Sequence, residues 1–255
     1  MKNYKVTYLV GLATLAMGLQ VSQGVILQTW NLGSDFSITN GNPNNLNGGR
    51  AGSSWSYGLT PNSGSEPVPS SFALLPFGTN SSAVWGAPLA GIEGWSYTSG
   101  DPNPAIMHNP TGSTISGFGI VFNPNDVVFG TYHGTQHDVT AGSFWVDARW
   151  TAPVAGSYVI NAFFQNDQDP GATPMRIYEN TTPVFSATTA NPNGSLVSYA
   201  GELQLLAGDK LDFAVKSTGS AYRVFANIDL VPEPTSLALL VFSSAVFAAR
   251  FRRRS

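Results

Sequence analysis

Apolar and polar residues alternate along most of the second half of the chain. The clearest example is segment 210–216, KLDFAVK, in which large apolar residues occupy every second position. Similar segments follow from Phe118 onward, and Gly, Pro or Asn turns interrupt them about every 8 to 12 residues. A period of two places successive side chains on opposite faces of a strand. The pattern therefore predicts an all-β fold, an antiparallel β-sandwich whose sheets each pack one face on the other.

The chain between the two terminal segments, here called the body, is expected to be richer in loops in its first half. It opens with a candidate strand at 25–30 and continues through Asn-rich, Gly-rich and Pro-containing stretches. Short aromatic segments interrupt these stretches, including two Trp-Ser-Tyr triplets. We expect one domain over residues 25–231, with a loop-rich front at 25–130 and a core module at 141–230.

The N-terminal 24 residues have the three parts of a secretory signal peptide. Lys2 and Lys5 give a basic start, and residues 8–19 form an apolar stretch too short to span a bilayer. In the run Ser22-Gln23-Gly24, Ser22 and Gly24 place small residues at positions −3 and −1 for cleavage after Gly24. We expect a signal helix over 1–24 that is removed on export; the alternative is a retained anchor.

The C-terminus has a second three-part pattern. Pro232-Glu233-Pro234 is extended, because each proline fixes φ and lacks an amide donor. Residues 235–249 carry no charge and would span roughly 22 Å as a helix, short of the roughly 30 Å hydrocarbon core. A basic cluster follows, which can lengthen the span by snorkelling and marks the cytoplasmic side. Its members are Arg250, Arg252, Arg253 and Arg254. The pattern predicts a transmembrane helix; the alternative is a buried C-terminal helix.

This tail resembles the PEP-CTERM sorting signal of bacteria that make exopolysaccharide, with all three parts in order over residues 232–255. The resemblance implies recognition of Pro232, Glu233 and Pro234 by a membrane processing enzyme of the exosortase type. That enzyme would cut near the motif and release or re-anchor the protein outside the cell.

The body resembles a jelly-roll module common among exported PEP-CTERM proteins. The likeness covers about 141–230 and rests on the runs ARWTAPVAGSY at 148–158 and AGDKLDFAV at 207–215. Relatives carry His-Pro-Gly ahead of the first run, whereas this chain has His137-Asp138-Val139. The resemblance implies a jelly-roll sandwich similar to carbohydrate-binding modules.

Composition and charge restrict the chemistry that the protein can perform and the classes of partner that it can bind. The sequence has 27 glycines, 17 prolines and no cysteine, which excludes disulfides, cysteine-ligated metals and cysteine catalysis. Six of its twelve basic residues lie in the two terminal segments, whereas all fifteen acidic residues lie between Val25 and Pro234. Residues 25–234 therefore have a formal charge of −9. Such a body repels nucleic acid and anionic lipid and suits neutral glycans or divalent cations.

Aromatic residues among Gly, Ser and Asn are candidate glycan contacts, because the C–H face of a sugar stacks on an aromatic ring. Those in the front half are Trp55, Tyr57, Trp85, Trp95 and Tyr97. The alternative is that they plug the ends of the sandwich. Trp145 and Trp150 lie in predicted strands and are expected in the core.

Two metal sites have candidate ligands in the sequence. Asp167 and Asp169, with Glu179 downstream, offer oxygens for a structural calcium ion, although the loop is not an EF-hand; the alternative is a solvated turn. His133 and His137 lack the helical face and further ligands that zinc needs.

Catalysis has little support in the sequence. A nucleophile elbow, Gly-x-Ser-x-Gly, is absent. Glu93 and Asp101 are a nominal carboxylate pair for a glycosidase. We therefore predict an exported, non-catalytic surface protein, associated with exopolysaccharide or binding carbohydrate, without a cofactor other than a possible calcium ion. The alternatives are a secreted glycan hydrolase or lyase and a ligand-free matrix protein.

Overall fold

The computed structural model describes residues 26–45, 54–99, 103–131, 142–168, 171–190 and 194–232. Within these ranges the chain is mostly antiparallel β-sheet. The strands of the first half are β1 (Gln28–Asn31), β2 (Asn44–Asn45), β3 (Ser54–Ser63), β4 (Glu66–Pro67), β5 (Ala73–Leu74), β6 (Phe77–Thr79), β7 (Glu93–Ser96), β8 (Ala105–His108), β9 (Ile115–Gly117), β10 (Ile120–Phe122) and β11 (Val127–Gly130). Those of the second half are β12 (Phe144–Thr151), β13 (Gly156–Asn166), β14 (Thr173–Glu179), β15 (Thr182–Thr189), β16 (Leu196–Leu205), β17 (Lys210–Lys216) and β18 (Ala221–Val231).

Helical structure in the described ranges is confined to single turns. They are α1 (Ser82–Trp85) and two 3₁₀ turns, Pro69–Ser71 and Ala87–Leu89. No helix there is long and apolar enough to cross a bilayer. The predicted signal helix at 1–24 and the predicted transmembrane helix at 235–249 lie outside the described residues.

Two sheets form the body. Sheet I has the order β16-β13-β18-β11-β8-β7-β6, with β1 also paired to β18. Sheet II has the order β15-β14-β17-β12-β3-β2, with β4 and β5 flanking β3. Strands β9 and β10 form a separate hairpin. The first half of the chain, expected to be loop-rich, thus contributes strands to both sheets.

The core lies between the two sheets, as the alternation predicts. Trp30 of sheet I meets Trp150 of sheet II edge-on, with ring centroids 5.2 Å apart, and Tyr158 packs on Trp150 at 5.3 Å. All three rings are fully buried. Trp145 is fully buried too, so the prediction that Trp145 and Trp150 are buried in the fold is confirmed.

The outer face of sheet II is covered, which the alternation did not predict. Residues 66–72, here called the strap, lie across β3 and β12. The Arg149 guanidinium fastens the strap: it donates to the Pro69 carbonyl at 2.6 Å and lies 4.1 Å from the centre of the Phe72 ring. Arg149 also donates to both carboxylate oxygens of Asp212, at 2.5 and 2.9 Å. The strap explains why β12 and β17 are buried on both faces.

The outer face of sheet I is covered over one half only. Residues 81–92 and 113–122, here called the cover, place α1, the second 3₁₀ turn and the β9–β10 hairpin over β8 and β11. They form a second, smaller hydrophobic cluster outside the sandwich. The other half of this face, on β13, β16 and the later part of β18, exposes alternate residues to solvent.

Candidate functional site

A cavity of about 480 Å³ lies between the cover and the outer face of sheet I. It falls within the roughly 300–1,000 Å³ that small-molecule sites occupy. Its described lining residues are Trp85, Leu89, Asn103, Met107, Phe118, Ile120, Gly130, Gln168 and Ala221. None of these side chains is ionisable, so the described lining favours an uncharged ligand.

Small residues in the sheet create the space. Gly130 at the end of β11 lies opposite Ala221 of β18 and Ala105 of β8 in the strand register. A methyl group at Gly130 would come within 3.0 Å of Asn103 Oδ1 and 3.3 Å of Met107 Cε. Larger side chains on this part of the sheet would fill the cavity.

Trp85 forms part of one wall. It ends α1, whose first turn is capped by Ser81: the Ser81 Oγ accepts a hydrogen bond from the Ala83 amide at 3.2 Å. The indole Nε1 of Trp85 donates to the Thr79 carbonyl at 3.2 Å. The ring is therefore fixed in place, and its hydrogen-bonding group is satisfied without a ligand.

Phe118 stands at the edge of the cavity in an unusual backbone conformation. It has φ of 52° and is followed by Gly119 at φ 79°, in a two-residue turn that joins β9 to β10. Positive φ at both central positions defines a type I′ turn, which strongly favours Asn-Gly. A phenylalanine there costs roughly 1–2 kcal/mol, yet its side chain is 61% exposed. Packing in a buried core therefore does not explain why a phenylalanine occupies this position. Its ring lies against Gly86.

Two side-chain amides complete the described lining. Gln168 follows β13, and its Nε2 donates to the backbone carbonyl of Phe118. Asn103 precedes β8 on another side of the cavity. Amides can both donate and accept hydrogen bonds. Together with Trp85 and Phe118, they combine aromatic rings with uncharged polar groups in one concavity.

An ion-pair network lies next to Gln168. Arg223 of β18 contacts Asp126 at 3.0 Å and Asp167 at 3.1 Å. Burial raises the pKa of Asp167 to about 6, against the opposing effect of Arg223. The network positions the residue that precedes Gln168, so the cavity edge depends on it.

The predicted calcium site at Asp167 and Asp169 is described only in part. Arg223 already occupies the position of a cation beside its carboxylate, and Asp169 lies outside the described residues. Glu179 ends β14, whereas Asp167 precedes that strand, so about 20 Å of strand separates them. In the part of the chain that the structure describes, no three His, Cys, Asp or Glu side chains form a candidate metal site.

Most of the predicted glycan-contact aromatics are buried, which corrects that expectation. Trp55 and Tyr57 have no exposed surface, and Trp95 is 7% exposed in the same core. A sugar cannot stack on a ring that other side chains enclose. Tyr97 is half-buried against this core, and only Trp85, 2% exposed, lines the cavity. Trp55, Tyr57 and Trp95 therefore fit the alternative interpretation, in which these rings plug the sandwich.

Of the nominal carboxylate pair, only Glu93 lies among the described residues. Glu93 contacts Nδ1 of His108 at 3.0 Å, on the neighbouring strand of sheet I. Asp101, His133 and His137 lie outside the described ranges.

Sequence reasoning missed Phe118 and Gln168. Both residues are in turns, where period-two patterns carry no information. A signal for Phe118 existed: Phe-Gly stands between two short apolar segments, where a hairpin turn normally has Asn-Gly.

Comparisons with known proteins identify no family. No protein-family model matches the sequence, and no curated protein matches it. Among solved structures, rabbit GITRL has a TM-score of 0.28 and 17% identity, over 34% of this chain and 73% of that one. A family 35 carbohydrate binding module from Clostridium thermocellum has a TM-score of 0.25 and 18% identity, over 41% and 91%. A module of Cellvibrio mixtus lichenase 5A, in complex with cellotriose, has a TM-score of 0.26 and 16% identity, over 42% and 79%.

Proposed function

We propose that this protein is a non-catalytic binding protein for a neutral carbohydrate and that the cavity under the cover is its binding site. The observation that carries the proposal is Phe118, a bulky side chain kept in a left-handed backbone conformation at an exposed turn beside the cavity. Strained residues of this kind cluster at ligand sites, where the surrounding structure maintains them.

The lining chemistry supports a sugar over a charged or purely apolar ligand. Phe118 offers ring surface for the C–H face of a sugar, and Asn103 and Gln168 can hydrogen-bond to its hydroxyl groups. The absence of ionisable groups among the described lining residues, together with a formal charge of −9 over residues 25–234, disfavours a polyanion. Glycoside hydrolysis uses two carboxyl groups across the scissile bond, and the described lining offers neither.

A substitution that fills the cavity tests the proposal. In Ala221→Leu, three added carbons would project into the cavity from the sheet, and binding of neutral oligosaccharides should weaken by more than about tenfold. The measurement is calorimetric titration of the protein, as its host produces it, with cello-, xylo-, manno- and β-1,3-gluco-oligosaccharides.

Phe77→Ala is the control, because Phe77 is 42% exposed at the far edge of sheet I. It should bind as the wild type does. If no oligosaccharide binds the wild-type protein, or if Ala221→Leu binds unchanged, the proposal is wrong.

We further propose that the protein is exported and processed through its C-terminal segment by an exosortase-type enzyme. The support is the order of Pro232-Glu233-Pro234, the uncharged stretch 235–249 and the arginine cluster. Intact mass and fractionation of protein from its host test this. The wild type should lose residues beyond the motif, and Glu233→Ala should keep them in the membrane fraction. If both forms keep the tail, it is a membrane anchor only.

A further inference from the structure

Two phenylalanines stack on the uncovered half of the outer face of sheet I. Phe163 of β13 and Phe225 of β18 lie directly opposite each other in the register, with ring centroids 5.2 Å apart and planes 9° apart. Both lie on the face that points away from the core, and both are half-buried. A sheet face exposed to water normally carries polar residues at such positions.

A shallow depression of about 250 Å³ adjoins this pair. Ser198 and Ala200 of β16 are small and lie opposite Phe163 and Asn161 of β13. Their size leaves open the side of the Phe163 ring that does not contact Phe225. Asn161 and Ser198 add uncharged polar groups, and none of the described residues lining the depression carries a charge at neutral pH.

The depression and the cavity share one sheet face. Along the outward face of β18, Ala221 lines the cavity, Arg223 follows, and Phe225 lines the depression. Three strand spacings, about 14 Å in total, separate β16 from β11. Arg223 lies between the cavity and the depression, and its charge is paired with Asp126 and Asp167. An extended uncharged ligand can therefore cross from one concavity to the other over the phenylalanine pair.

We infer that the Phe163–Phe225 pair is a second contact for the same ligand, so that the ligand is a neutral glycan chain and not a single sugar. This inference rests on the proposed function of the cavity. The chemistry of the surface selects the occupant: ring faces beside amide and hydroxyl groups, without charge, match a neutral sugar chain. A protein partner would instead be met by a larger apolar patch with a charged rim.

The test is the dependence of affinity on chain length. The wild-type protein, as its host produces it, is titrated with the oligosaccharide series that binds it best, from disaccharide to hexasaccharide. Affinity should rise by roughly tenfold once the chain reaches the pair, the gain expected for about 1.4 kcal/mol of stacking. Phe163→Leu and Phe225→Leu keep apolar volume but remove the ring faces, so each should lose this gain and keep wild-type affinity for the disaccharide.

Controls separate failure of this inference from failure of the cavity proposal. Phe77→Leu changes an exposed phenylalanine of the same sheet and should keep the full length dependence. If short ligands bind but affinity does not rise with length, or if the two leucine variants match the wild type, the pair only stabilises the sheet. If long chains bind through the pair and Ala221→Leu has no effect, the cavity proposal fails, and the pair is then the primary contact and not a second one. If nothing binds, both fail.

Discussion

At the scale of single residues, the most consequential group is the set of charges under the strap. Asp147 and Asp212 are both buried, and Arg149 bridges Asp212 to the strap carbonyl of Pro69. Burial and the nearby Asp212 raise the pKa of Asp147 well above its ordinary value. Thr60 donates to Asp147 Oδ2 at 2.6 Å, while Oδ1 has no hydrogen-bond partner among the described residues. At Pro69 the strap is thus held by a cation that lies beside two buried acids.

Replacing that cation should be costly. In Arg149→Met, Asp212 loses its partner while still buried, and breaking a buried pair in this way costs about 3–5 kcal/mol. Urea unfolding followed by tryptophan fluorescence measures the loss. Arg176→Met is the matched control, because its partner Glu66 is 44% exposed, and such partly exposed pairs contribute about 1 kcal/mol or less. Equal losses in the two variants would contradict this assignment.

Asp167 gives a pH dependence with a defined sign. Its pKa is raised from 3.8 to about 6 in the folded protein, so between these values the folded state holds a proton that the unfolded state has released. The contribution of Asp167 to stability is therefore greatest below pH 3.8, falls as pH rises to about 6, and is constant above it. Unfolding free energies of the wild type and Asp167→Asn, measured at several pH values across this window, should diverge in that direction. Parallel curves would show that the Asp167 carboxyl titrates normally.

At the scale of elements, the β9–β10 hairpin has a turn residue whose backbone preference conflicts with the conformation that the turn requires. Its turn requires positive φ at Phe118, which an asparagine adopts at little cost. The conflict points to a role of the ring outside the turn itself.

Phe118→Asn should therefore separate stability from binding. Relief of the left-handed conformation should raise the free energy of unfolding by about 1 kcal/mol, while loss of the ring should weaken sugar binding. Val121→Asn is the control, since Val121 is a similarly exposed strand residue on the same hairpin, where asparagine is unfavourable. A destabilised Phe118→Asn would mean that the ring packs for stability.

The elements themselves were partly predictable from sequence. Segment 210–216 has large apolar residues at every second position and forms β17, and the antiparallel sandwich follows from such segments. The strap and the cover were not predictable, because Phe72 and Trp85 lie in short irregular segments without a period. Burial of Trp55 and Tyr57 was missed for a related reason: their Gly- and Ser-rich surroundings suggested a loop, whereas β3 lies beside β12 near the middle of sheet II.

At the scale of the whole molecule, the two halves of the chain are interleaved. Strand β1 pairs with β18, β11 pairs with β18, and β3 pairs with β12. The segment 141–230, whose motifs resemble a complete module, contains only part of each sheet.

A fragment of residues 142–232 should therefore fail to fold cooperatively. It lacks β1, β8 and β11 on one side of β18 and β3 beside β12, which leaves the hydrophobic positions of both sheets exposed. Far-UV circular dichroism during thermal unfolding should show no sharp transition for the fragment and a single one for the whole protein. A cooperative transition in the fragment would show that residues 142–232 fold independently and would contradict this prediction.

The position of β18 also has a mechanical consequence. Neighbouring strands bond it on both sides, β13 along nearly its whole length and β11 and β1 in succession on the other side. The proposed tail follows this strand directly, so a pull on an anchored tail would load β18 along its own axis. Its ladder hydrogen bonds would then have to shear together rather than open one at a time. A surface protein attached in this way would resist flow and drag through its most heavily bonded strand.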